Sequence, residues 1–312
     1  VVLGAGGKMG PTLAMMLKKA SGNKKIYAVS RFSDKAARDR IEQAQIETIE
    51  ADLLDESHYR KLPDVKNVFY LAGMKFGSTS NQPLTWAMNS YMPALVARHY
   101  KDSQIVAYST GNVYPLVEIA GGGATEETMP EPIGEYAQSC LGRERMFEYF
   151  SQLYKTPVTI TRLNYANEPR YGIIVDLTLK ILNDEPIDVT MGSVNLIWQR
   201  DANDYIIRAI SLAKSPPAVL NVTGPQTIPI RRLAEQIGDT LRHKASCGGK
   251  KPKFIGHEAP SALLSDASYC LSKFGPPQTT LEQMVAIITG WVAAGKKTLN
   301  KPTKYEIRNG KF

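Results

Sequence analysis

The chain has 312 residues, a net charge of +8 and 43% hydrophobic residues. That length buries a full core and suits one large α/β unit with a smaller companion. No apolar run approaches the roughly 20 residues that cross a bilayer, so no membrane partner is expected. Cys140, Cys247 and Cys270 are too few and too irregularly spaced for a disulfide framework or a zinc site, which points to reducing, cytoplasmic surroundings and no bound metal. Lys and Arg are scattered apart from short pairs such as Lys18-Lys19, Lys24-Lys25 and Lys250-Lys251, and no nucleic-acid motif accompanies them. Anionic small molecules, rather than nucleic acid, are the expected partners of this charge. The first residue is not Met, so a few residues are expected upstream.

The opening VVLGAGGKMG places Gly4, Gly7 and Gly10 directly after a β-branched run. This spacing predicts a strand, a tight turn and a helix whose N-terminus accepts a dinucleotide pyrophosphate. Gly4 permits the turn, Gly7 lets backbone approach phosphate, and Gly10 lets the helix pack close to its strand. Leu13, Met16, Leu17 and Ala20 recur at helical spacing beyond it. Further strands are expected at Lys25–Val29, Ile46–Glu50, Asn67–Leu71, Gln104–Tyr108 and Val158–Leu163, with helices at Leu84–Tyr100 and Tyr136–Tyr154. This alternation predicts a doubly wound parallel sheet over residues 1–164. From 165 to 312 the rhythm loosens around helices at Ile173–Leu182, Asp201–Ala213 and Pro229–Arg242, and we expect a smaller substrate-binding portion partly interleaved with the sheet.

The ordered motifs resemble those of the extended short-chain dehydrogenase/reductase superfamily, which contains the NAD(P)-dependent sugar-nucleotide epimerases and dehydratases. They are Gly4–Gly10, Asp52-Leu53, Leu71-Ala72-Gly73, Ser109-Thr110 with Val113-Tyr114, Tyr136, Arg162-Leu163-Asn164, and Arg200-Asp201 with Asp204. The resemblance implies a Rossmann fold and a cofactor site made of Gly4, Gly6, Gly7, Lys8, Met9, Gly10, Asp52, Leu53, Leu71, Ala72, Gly73 and Asn89. Asp52 would contact adenine, although an Asp on such a turn is also a common cap. Ala72 and Gly73 would make room for the nicotinamide. At the end of the second strand, Val29-Ser30-Arg31-Phe32 lacks the acid that receives the ribose hydroxyls of NAD. Ser30 and Arg31 suit a 2′-phosphate instead, so NADP is expected, with NAD as the alternative.

By the same resemblance Tyr136 is the acid/base group and Thr110 its hydroxyl partner at the reacting oxygen. The usual Y-x-x-x-K motif is broken, because Cys140 stands where the lysine belongs. A lysine about 5 Å away would favour tyrosinate by about 3 kcal/mol, roughly two pKa units, at an effective dielectric near 20. Cys140 supplies no such charge. Lys75, Arg143 or the oxidised cofactor ring remain as replacements, and a dinucleotide-binding sensor with altered chemistry is the alternative function. Cys140 as a nucleophile has no nearby His in sequence to support it.

Gly111 and Asn112 follow Thr110 where a 4,6-dehydratase would carry an Asp-Glu pair, which disfavours that reaction. The family's N-x-Y-G-P run is altered to Asn164-Tyr165-Ala166-Asn167-Glu168-Pro169. A reductase, dehydrogenase or epimerase acting on a carbohydrate-like hydroxyl or ketone is therefore expected, with a non-nucleotide substrate such as a sugar or sugar acid and with Lys75, Asn164, Arg200 and His257 as its candidate contacts. Arg200 reads equally as an ion-pair partner of Asp201, and His257 as a surface residue. The closing KPTKYEIRNGKF reads as an extended tail on the body or on a neighbouring subunit. A homodimer is expected through Leu84–Tyr100 and Tyr136–Tyr154, the latter offering Leu141, Met146, Phe147, Phe150 and Tyr154.

Overall fold

The computed structural model describes residues 1–243 and 251–311. Cys247 and Lys250 lie outside the described residues. In chain order, the first half runs β1 (Val2–Leu3), α1 (Gly10–Ala20), β2 (Tyr27–Ser30), α2 (Lys35–Gln43), β3 (Glu47–Glu50), β4 (Asn67–Tyr70), α3 (Gln82–Trp86), α4 (Met92–His99), β5 (Gln104–Thr110), β6 (Val117–Glu118), α5 (Gly134–Tyr154) and β7 (Val158–Leu163). The second half adds β8 (Ala166–Asn167), α6 (Ile173–Leu182), β9 (Ile187–Asp188), β10 (Ser193–Val194), β11 (Ile197–Trp198), α7 (Gln199–Arg208), β12 (Ala218–Val222), α8 (Ile230–His243), α9 (Ser268–Phe274) and α10 (Leu281–Ala293).

Seven strands form one parallel sheet in the order β12-β7-β5-β4-β1-β2-β3. The near-continuous burial of β1, β4, β5, β7 and β12 explains why these strands read as apolar runs rather than alternating ones, while the edge strand β3 is partly exposed. The strand order reverses beside β1, with β2 and β3 on one side and β4 onward on the other, so a crevice opens at the carboxyl ends of β1 and β4. One face is filled from α1 and α7 through Leu13, Ala14, Tyr205 and Ile206, and the other from α4 and α5 through Val96 and Phe147. A third core joins α6, α8 and α10. The last sheet strand, β12, comes from beyond residue 164 and pairs with β7 over five residues.

One departure from the expected helices bears on the crevice, and so does the course of the tail. The helix expected at Leu84–Tyr100 is interrupted by a π-helical turn at Ala87–Tyr91, which holds the buried Asn89. The tail is also tied to its own chain. Leu299 N–H donates to the Arg170 carbonyl at 2.9 Å, Thr303 donates twice to Asp176 at 2.8 and 2.6 Å, and Arg308 donates to the Ser261 carbonyl at 2.6 Å. Tyr305 is fully buried. Where Gly310 crosses the start of α5, a Cβ on Gly134 would strike its backbone.

A buried ion pair fixes α5 to the sheet. Arg162 on β7 donates through Nη2 and Nε to Glu144 at 2.7 and 3.1 Å, while Ser109 donates to Glu144 at 2.5 Å. Both charged side chains are almost wholly withdrawn from solvent, so removing one strands the other. Arg162→Met should lower stability by about 3–5 kcal/mol in chemical denaturation; a loss below about 1 kcal/mol would contradict this account of the network.

Candidate functional site

The Gly4–Gly10 turn leads from β1 into α1 as its spacing requires. Gly4 has φ +87°, and a Cβ there would lie 2.6 Å from Ala72 N. A Cβ on Gly6 would lie 2.7 Å from Ser30 Oγ, and one on Gly10 would overlap the Ala5 carbonyl. The start of α1 has no side-chain cap and carries Pro in its first turn, leaving backbone N–H groups for another acceptor.

These residues open onto a groove of about 260 Å³ lined by Gly4, Gly6, Gly7, Ser30, Arg31, Asp52, Leu53, Leu71, Ala72, Gly73 and Lys301. Arg31 is 59% exposed, with its Nη1 3.8 Å from Asp52 Oδ2. Asp52 Oδ1 accepts from Leu54 N–H at 3.0 Å, a local turn bond; the helical turn that follows at Glu56–Lys61 is capped by Asp55, so Asp52 is not its cap. A groove lined by the glycine turn and by the ends of three strands, without a Cβ at Gly7, fits a dinucleotide.

Beyond the same turn lies a second cavity of about 130 Å³. Thr110, Asn112 and Ser109 enter it from the end of β5, Tyr136 from α5, Leu163, Asn164, Tyr165 and Ala166 from the end of β7, and Lys8 and Met9 from the glycine turn. Tyr171, Gly172, Gln199, Lys75 and Thr303 complete the wall. Tyr136 hydrogen-bonds both Thr110 and Cys140. Thr110 Oγ1 accepts from Asn112 N and Nδ2 at 3.2 and 2.9 Å, which leaves its own proton to donate toward Tyr136. Burial, reinforced by Cys140, pushes the Tyr136 phenol well above its ordinary range, while Arg143 acts in the opposite sense. Burial likewise pushes the Cys140 thiol up, so it stays neutral.

Arg143 lies one turn beyond Cys140 and is buried. It donates to the Tyr108 carbonyl at 2.9 Å and to Asn89 Oδ1 at 2.8 Å. Asn89 also receives Met74 N–H at 2.8 Å and donates to the Met74 carbonyl at 2.8 Å and to Ser139 at 3.0 Å. Its carboxamide is thus spent on the protein and faces inward rather than into the groove. Gly73 has a matching reason to be small, because a Cβ there would collide with the Arg143 guanidinium.

The expected site residues do not all converge. Lys75 lies in the cavity wall, its ammonium 3.3 Å from the Thr303 carbonyl and 5.7 Å from the Tyr136 ring centroid. Asn164 lines the cavity and donates to the Leu263 carbonyl at 3.3 Å. Arg200 lies outside it, 55% exposed, with its Nη2 3.5 Å from Asp201 and bonded to Gln278 at 3.0 Å. His257 is exposed on a loop away from it. Lys8, expected at the cofactor, turns its side chain into the second cavity and over Tyr171, 3.5 Å from the ring centroid. Tyr171, Gln199 and Thr303 escaped sequence reading; Thr303 stands 167 residues after Tyr136 and has no local motif to mark it.

The fold has close counterparts. A Pal structure from Bacillus thuringiensis matches with a TM-score of 0.78 at 19% identity, over 95% of this chain and 99% of that one. UDP-glucose 4-epimerase from Thermotoga maritima, solved with UDP-glucose, gives 0.78 at 15% identity over 94% and 98%. UDP-glucuronic acid 4-epimerase from Bacillus cereus, solved with NAD, gives 0.76 at 18% identity over 93% and 95%. No curated protein sequence matches the chain. The model of the NAD dependent epimerase/dehydratase family matches residues 1–201, spanning the sheet from β1 through β7, the glycine turn and both cavity-lining strand ends; the chain belongs to that family.

Proposed function

We propose that this protein is a nicotinamide-dinucleotide-dependent oxidoreductase or epimerase acting on a carbohydrate-like hydroxyl or ketone, with Tyr136 as acid and base. The observation that carries the reading is the Thr110–Tyr136 pair in the wall of a cavity that adjoins the glycine-lined groove. The bound nicotinamide would supply the carbon that gives or takes hydride. Thr110 orients the Tyr136 oxygen, and the burial that keeps the phenol protonated prepares it to donate to an oxygen gaining charge as a ketone is reduced. In the reverse direction Tyr136 must ionise, and the buried Arg143 is the fixed cation that favours this. Arg143 thereby takes over part of what a lysine at position 140 would do.

NADP is the proposed cofactor, because Ser30 and Arg31 line the groove where NAD enzymes carry an acid. The similar structures hold NAD or a UDP-sugar, so NAD is the competing choice. A homodimer is proposed through α3 to α5, where Leu84, Trp86, Tyr91, Tyr149, Leu153 and Tyr154 remain exposed. Phe147 does not contribute to that face, since it is buried in the core.

Three outcomes test these assignments. In a screen of sugar alcohols and ketones, Tyr136→Phe should lower turnover at least about a hundredfold while dinucleotide binding persists; turnover surviving in that variant contradicts the mechanism, and binding without any turnover favours the sensor reading. Arg31→Ala should weaken NADP by about tenfold and leave NAD nearly unchanged in calorimetry; NAD binding as tightly as NADP in the unaltered protein rejects the assignment. Sedimentation at micromolar concentration should show a dimer, and a strict monomer refutes that interface.

A further inference from the structure

Among the described residues, two lysines and no Asp or Glu line the cavity beside Tyr136. Lys8 and Lys75 reach it from different elements, the glycine turn and the segment after β4. Lys8 sits in an aromatic corner, its ammonium 3.5 Å from the Tyr171 centroid and 4.9 Å from that of Phe76. Among the described residues no acceptor hydrogen-bonds it and no carboxylate pairs with it. The nearest carboxylates are otherwise engaged: Glu168 with Arg170 at 3.0 Å, and Asp176 with the Thr303 amide and hydroxyl at 2.8 and 2.6 Å. Burial and repulsion from Lys75 and Lys301 bring Lys8 down to about 7, and burial brings Lys75 down to about 8. An anion delivered between them would relieve both effects.

We infer that Lys8 and Lys75 bind the acidic head of a small sugar acid, holding its carboxylate while a hydroxyl or ketone of the same molecule meets Tyr136. The inference rests on the proposed oxidoreductase reading and names its substrate class. Size agrees with a small ligand: about 130 Å³ is the space of roughly four waters at about 30 Å³ each, far below a sugar with its nucleotide. Thr303 helps close the cavity, and its carbonyl lies 3.3 Å from the Lys75 ammonium. The same ammonium chemistry would suit the diphosphate of the cofactor, but both side chains line the Tyr136 cavity and not the glycine-lined groove.

The test is calorimetry on the full chain with acids and their neutral counterparts, D-galacturonate against D-galactose and D-gluconate against D-glucitol, with and without NADP. At least one acid should bind tenfold or more tightly than its counterpart, Lys8→Met and Lys75→Met should each remove that advantage, and Lys8→Arg should retain part of it. Equal binding of acid and neutral compound throughout, or no binding of any acid, overturns the proposal. So does a Lys8→Met loss that falls on NADP and spares the acid, since the ammonium then serves the diphosphate. Thermal melting of each variant separates lost binding from lost folding. The advantage of the acid should persist in Tyr136→Phe. If turnover also persists there, the assignment of Tyr136 fails while the anion site stands; if turnover is lost and acids have no advantage, the reverse holds.

Discussion

A buried guanidinium organises the centre of this molecule. Arg143 ties α5 to the end of β5 through the Tyr108 carbonyl and to the π-helical turn through Asn89, which in turn holds the backbone of Met74 just beyond β4. No carboxylate pairs with it among the described residues, and the neighbouring Glu144 is committed to Arg162. A charge so placed is costly unless hydrogen bonds and nearby ionisable groups repay its desolvation. Its surroundings are Tyr70, Tyr136 and Cys140. Moving Arg143 would therefore shift three strand or helix ends together, along with the field felt by the Tyr136 phenol.

Around that cation the site is assembled from distant parts of the chain. The glycine turn serves two spaces, with Gly7 facing the long groove and the Lys8 side chain facing the cavity. The tail closes the assembly by laying Lys301 along the groove and Thr303 along the cavity, held down by Asp176, Ser261 and the glycine contact at the start of α5. Burial raises the Asp176 carboxyl to about 6. Its two bonds from Thr303 show how tightly this segment is drawn into the body.

The doubly wound sheet was legible because its cues are local: β-branched runs, the glycine turn and helical spacing each lie within about ten residues of sequence. The meeting of Thr110 with Tyr136 in one cavity wall was legible from motif order. What escaped depends on contacts between segments far apart in the chain. Asn89 was expected at the cofactor, but its π turn directs the carboxamide to Met74 and Arg143. Gly73 was expected to make room for a ring, and its small size also accommodates a guanidinium from α5. Arg200 shares its helix with the cavity residue Gln199, yet one residue along a helix turns a side chain by roughly 100° and takes it out to solvent.

The central chemical claim is that a buried arginine, in place of a lysine at position 140, favours the ionisation of Tyr136 against the burial that opposes it. It is tested most directly by the pH dependence of kcat/KM for alcohol oxidation in the unaltered protein, Arg143→Met and Arg143→Lys. In the proposed mechanism oxidation requires Tyr136 to lose its proton, so removing the cation should move the rising limb to higher pH by about one unit or more. Arg143→Lys should restore most of that displacement, and NADP affinity should change little. A rising limb that stays in place in Arg143→Met, with the variant folded and binding NADP, would contradict the account.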